Sequence, residues 1–109
     1  MRVLKNLVAS IEEGKKKSIY YYRVVRGIKQ GVQAYGIEAE RIDYINGELS
    51  NIERDSIEAI SPQLHKVYEL LNLLHSNLVS PIHLVEILGD YVDEYITDFD
   101  RYYDEIATN

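Results

Sequence analysis

The sequence predicts an α+β domain: an antiparallel meander of three or four strands in residues 1–60, then two antiparallel helices in residues 61–107 packed on one face of the sheet. Three observations carry this expectation. Aromatic and β-branched residues crowd the first half, Asn46-Gly47 punctuates it as a hairpin turn does, and the second half twice places Ser-Pro ahead of an apolar stripe with helical spacing. A chain of 109 residues suits a single domain, 1–109, with one modest core.

Residues 1–13 match a helical stripe through Leu4, Leu7, Val8 and Ile11, and also one strand face through Val3, Leu7, Ala9 and Ile11. Glu13-Gly14-Lys15 suits a hairpin into the next segment, which favours the strand. Lys17 to Arg26 holds the densest β signal, Ile19-Tyr20-Tyr21-Tyr22 followed by Val24-Val25. Gly27 to Gly31 reads as a turn, and Val32 to Ile42 resumes an extended pattern. Gly36 interrupts that pattern, as a bulge or a close backbone approach would. Glu48 to Glu58 is the returning strand, although Leu49, Ile52 and Ile57 are poorly spaced for one face.

Ser61-Pro62 predicts a helix start, with Leu64, Val67, Tyr68, Leu71 and Leu74 on one side. Leu78-Val79 falls in a short connection. Ser80-Pro81 repeats the signal, with His83 placed to reach back to the cap. Val85, Leu88, Val92, Tyr95, Phe99, Tyr102 and Ile106 then recur at steps of three and four, a heptad-like seam that Gly89 weakens without ending. From Pro81 to Ile106 such a helix would be about 39 Å long. A domain of this size has a radius of gyration near ~13 Å, so the helix would span it and overhang.

Tyr20-Tyr21-Tyr22-Arg23-Val24-Val25, Tyr35-Gly36-Ile37-Glu38 and Val79-Ser80-Pro81-Ile82-His83-Leu84 with Asp90-Tyr91 resemble a family of short uncharacterised proteins. That family comes from clostridia and related spore-forming bacteria and is grouped as a domain of unknown function. The resemblance covers most of the chain. It implies a small cytosolic bacterial protein and brings no activity or functional residue with it.

Charge divides the chain. Residues 1–30 carry eight Lys and Arg against two acids, whereas the remainder carries four against sixteen, for a net of −6. Overall acidity opposes nucleic-acid binding through long-range repulsion of phosphate, which leaves only the basic, tyrosine-rich segment 15–26 as a local alternative. Without cysteine there is neither a disulfide nor a thiolate metal site. The opening residues lack the apolar core of a signal peptide, and no run suffices to cross a bilayer, so the expected location is the cytoplasm.

The chemistry of an enzyme is hard to assemble. His65 with Glu69 and His83 with Glu86 each stand one helical turn apart, and His75 would be the third member of a metal-dependent site. Each histidine reads better as a solvated or capping residue. The acids of the second helix belong mostly to its wet side, where nothing would separate their pKa values. No nucleophile elbow or glycine-rich phosphate loop is present. The sequence therefore points away from catalysis, cofactors and metals.

It points instead to a non-enzymatic interaction or regulatory module, expected as a homodimer. The candidate contact residues are Tyr20 and Tyr22 of the tyrosine strand, at least one tyrosine-bearing face of which helices would leave open, and Tyr95, Phe99, Tyr102 and Ile106 on the long helix. Residues 81–109 hold eight acids against Arg101 alone, so Lys15, Lys16 and Lys17 would relieve their repulsion in cis or from a second subunit.

Overall fold

Long β-branched and aromatic runs separated by two-residue turns leave the first half one economical arrangement, a meander of hairpins. The computed structural model describes the backbone of residues 2–108 and the side chains of residues 3–101. Strands β1 (Arg2–Glu13), β2 (Lys16–Lys29), β3 (Val32–Ile45) and β4 (Glu48–Ser61) pair antiparallel in the order β1-β2-β3-β4. Residues 1–13 thus take the strand alternative. Positive φ at Gln30 and Gly31, and again at Asn46 and Gly47, gives two-residue turns whose twist matches the flanking strands.

The turn expected over Gly27–Gly31 is confined to Gln30-Gly31. Gly27 continues β2, where a Cβ would lie 3.1 Å from the Glu58 carbonyl oxygen. The same carbonyl passes closer still over Gly36, whose Cβ would meet Ile57 O at 2.1 Å and Glu58 O at 2.4 Å. The close approach anticipated at Gly36 is therefore a crossing of β4, and the β3–β4 register shifts there, from Ile37 opposite Ile57 to Tyr35 opposite Ser61.

Helix α1 (Leu64–Ser76) begins later than the Ser-Pro signal indicates, because Ser61 is still the buried end of β4. Ser61 Oγ nevertheless accepts the Gln63 N–H at 3.0 Å, so it serves the turn into the helix rather than the helix itself. Pro81–His83 forms a 3-10 turn ahead of α2 (Leu84–Thr108), which runs unbroken through Gly89. His83 does not reach back to the cap: its Nδ1 lies 3.5 Å from Glu86, and Ser80 Oγ accepts from Arg41 at 2.9 Å.

One register row after another builds the core. Leu7, Tyr22 and Ala39 are paired across β1 to β3, as are Val24, Ile37 and Ile57 across β2 to β4. These residues pack with Val67, Leu70, Leu71 and Leu74 of α1 and with Leu84 and Leu88 of α2. The inner stripe of α2 is rotated from the expected seam, taking in Leu84 and Tyr91 and leaving Val85 exposed. Phe99 is buried outside this core, with Lys29 Nζ 4.7 Å from its ring centre. No helix among the described residues is long and apolar enough to cross a membrane.

Proportion sets the site. The radius of gyration is 16.0 Å and the long axis 60 Å, well beyond a compact domain of this length. Strands of fourteen residues extend about 46 Å, while α1 covers about 20 Å. The overlong element is thus the sheet rather than the helix. Helical cover reaches about as far as Tyr22, whose hydroxyl donates to Val79 O at 2.9 Å, and Arg41, held by Ser80.

Candidate functional site on the open sheet face

Period-two alternation places Tyr20, Tyr22 and Val24 under the helices and turns Ile19, Tyr21 and Arg23 to the opposite face. Register then assembles that open face in rows. Ser10, Ile19, Ile42 and Ile52 form one across all four strands, followed toward the hairpin tips by Glu12, Lys17, Tyr44 and Leu49. In the other direction come Val8, Tyr21, Glu40 and Arg54, then Asn6, Arg23, Glu38 and Ser56. An apolar band therefore lies near the tips and a charged band across the middle. Leu49 is 59% exposed and Ile52 50%.

The charged band is neutralised within itself. Arg23 donates to Glu38 at 3.0 Å and to Glu40 at 3.2 Å, and Arg54 Nε donates to the other Glu40 oxygen at 2.8 Å, joined by its Nη2. Burial alone would raise the Glu40 pKa, but the hydrogen bonds and charges of Arg54 and Arg23 hold it below the usual carboxylate range. The Arg23 guanidinium also stacks 5.0 Å over the Tyr21 ring. Glu12 and Lys17 form a further exposed pair at 3.6 Å.

On the helix side, just beyond the cover, a second polar group ties the two hairpins together. Ser18 Oγ donates to buried Asp43 at 2.6 Å, and Arg41 lies 3.4 Å from Asp43 and 2.9 Å from Glu53. Against the effect of burial, the Ser18 hydrogen bond and the Arg41 charge keep the Asp43 pKa low. At the tips the Asn46 N–H donates to Lys15 O at 2.9 Å. An open hollow of about 470 Å³ there is lined by Glu12, Lys15, Lys16, Lys17, Ile19 and Tyr44 among others.

The residues singled out from sequence are scattered. Tyr20 and Tyr22 are enclosed in the core, and burial beside Tyr20 pushes the Tyr22 phenol far above its ordinary pKa. Because α1 covers their face, they offer a partner almost no surface. Phe99 is likewise buried, and Tyr95 is half-buried with Lys66 Nζ 4.8 Å from its ring centre. The side chains of Tyr102 and Ile106 lie outside the described residues. Lys15–Lys17 occupy a hairpin tip, whereas the cations meeting α2 are Lys66, 2.6 Å from buried Asp98, and Lys29 over the Phe99 ring.

The histidines stand apart from one another in role. His65 is exposed, His75 Nε2 donates to Val8 O at 3.1 Å and meets the Tyr22 ring edge-on, and His83 faces Glu86. Among the described residues no three His, Asp or Glu side chains are grouped to hold a metal ion.

Residue spacing does not reveal the apolar band because β4 is irregular. An extra residue at Ser50 slips the register between Asp43 and Tyr44, so Leu49 and Ile52, three apart, share a face. Ile57 then faces the core. The spacing that looked poor is the mark of that bulge.

The fold defines a class: an α+β chain in which a four-strand antiparallel meander of long strands is followed by two helices. The chain belongs to the Family of unknown function (DUF6514), whose model matches residues 1–94. No curated protein and no solved structure matches it.

Proposed function

We propose that the chain is a non-enzymatic interaction module that works as a homodimer, two copies packing open face to open face over Ile19, Ile42, Tyr44, Leu49 and Ile52. The observation that carries this reading is the apolar band beyond the reach of the helices, on a sheet that stacks favourably at about 10 Å from another sheet.

Charge favours a second copy as the occupant. The chain as a whole is acidic, yet this face balances Lys17, Arg23 and Arg54 against Glu12, Glu38 and Glu40, so two such faces meet without net repulsion. Four strands over seven rows present roughly 450 Å² in projection. Side chains expose more than their footprint, which brings the face near the roughly 600 Å² per partner of a small specific interface. A two-fold axis through the band would let each patch meet itself.

Nucleic-acid binding through residues 15–26 has less support, since Tyr20 and Tyr22 are core residues and Arg23 is committed to Glu38 and Glu40. Light scattering of the full chain at micromolar concentration tests the proposal. The expected result is a dimer that Ile52→Asp converts to a folded monomer. A native chain that stays monomeric throughout would refute it.

A further inference from the structure

Helix α2 carries a second apolar stripe that its own fold covers only in part: Val92 packs against the core, whereas Val85 and Ile96 do not. Val85, Gly89, Val92 and Ile96 recur at steps of four, three and four, a coiled-coil spacing, and fall within about 60° of one another around the helix. Val85 is 56% exposed and Ile96 47%. The stripe lies beside the inward one of Leu84, Leu88 and half-buried Tyr95, with Val92 half-buried between the two and Val85 and Ile96 facing solvent.

Gly89 supplies an independent sign. A Cβ built there would meet nothing within 4 Å, so the monomer has no steric need for glycine at that position. Glycine inside a helix costs about 1 kcal/mol relative to alanine. At the middle of a partly exposed apolar stripe, its missing side chain lets the backbone of a second helix come close.

The flanks say which helix. Exposed Glu86, Asp90, Asp93 and Asp100 run along the solvent edge of the stripe, with His83 3.5 Å from Glu86. Two copies of α2 would bring two acidic flanks together, with Glu86 facing Asp93 when the helices run antiparallel. Like charges at such flanking positions select against self-pairing. We infer that the Val85–Ile96 stripe of α2 docks an amphipathic helix of another protein whose apolar seam is flanked by Lys or Arg. This surface is separate from the open sheet face and stands whether or not the chain dimerises there.

The test is an NMR titration of the full ¹⁵N-labelled chain with two synthetic helical peptides of ~21 residues, three heptads with one Leu/Ala seam. One carries Lys at the flanking positions and the other Glu. The Lys peptide is expected to shift amides concentrated between Val85 and Ile96, and the Glu peptide to leave them unmoved. Ile96→Asp, at an exposed position, should keep the fold and weaken the Lys peptide about ten-fold or more. Gly89→Ala should raise Tm while weakening the same peptide. Shifts with both peptides or neither, shifts spread over the sheet instead, or an Ile96→Asp variant that binds undiminished would overturn the inference. So would self-association through α2 in high salt.

Discussion

The two ends of the sheet are built from the same kinds of residue but solve opposite problems. Toward the Gln30-Gly31 turn, neighbours on one strand are both buried: Val24 faces the helices, and Val25 faces the crossing of β4. Toward the Gly14-Lys15 and Asn46-Gly47 turns, Ile45, Leu49 and Ile52 remain exposed, and the strands are held by their ladder and by polar ties such as Ser18–Asp43. Hydrophobic burial thus secures one end, and hydrogen bonds with ion pairs secure the other. A sheet longer than its helical cover keeps the second end available for contact.

Substitution should separate the two regions sharply. Gly36→Ala strikes the closed end, where backbone carbonyls cannot yield, and should destabilise the chain by about 3 kcal/mol or more in denaturant unfolding. Unaltered stability would mean that β4 does not cross there.

Glu40→Gln acts between the ends, leaving Arg23 and Arg54 without their shared carboxylate. A loss of roughly 2 kcal/mol at neutral pH is expected. Glu40 and Asp43 have pKa values lowered by folding, so the unfolded chain binds more protons in mild acid. The stability they lend is complete above the unfolded carboxylate range and disappears as pH falls through their lowered values. Unfolding followed from pH 7 to pH 2 should therefore show a shallower acid limb for the variant than for the native chain.

At the bare end, Ile52→Asp should change monomer stability by only about 0.5 kcal/mol while abolishing association. A large loss of stability without any change in oligomeric state would make Ile52 a packing residue instead.

Much of this arrangement could be read from residue order, and the reasons are local. Asn46-Gly47, Gly36 and the tyrosine run announced hairpin, crossing and strand because backbone geometry permits few alternatives there. Serine before proline predicts a helix cap at Ser61 and Ser80, whereas each hydroxyl here serves the sheet junction, one holding the Gln63 amide and the other Arg41. Tyr20 and Tyr22 are buried in the core, which alternation along β2 does not reveal, because it gives two faces without saying which one the helices cover. The apolar band was hidden by the Ser50 bulge, which no spacing rule for regular strands accommodates. The length of the strands mattered most. A compact radius assumed for the chain made α2 look overlong, when fourteen-residue strands outreach it.

Isoleucine methyl NMR over a range of protein concentrations tests the central claim most directly, because the chain places these reporters at both ends. Methyl resonances of Ile19, Ile42 and Ile52 should move with concentration toward a dimer limit, while those of Ile37 and Ile60 in the core stay fixed. Tip methyls that hold still up to millimolar concentration, or that move no more than the core ones, would contradict the account.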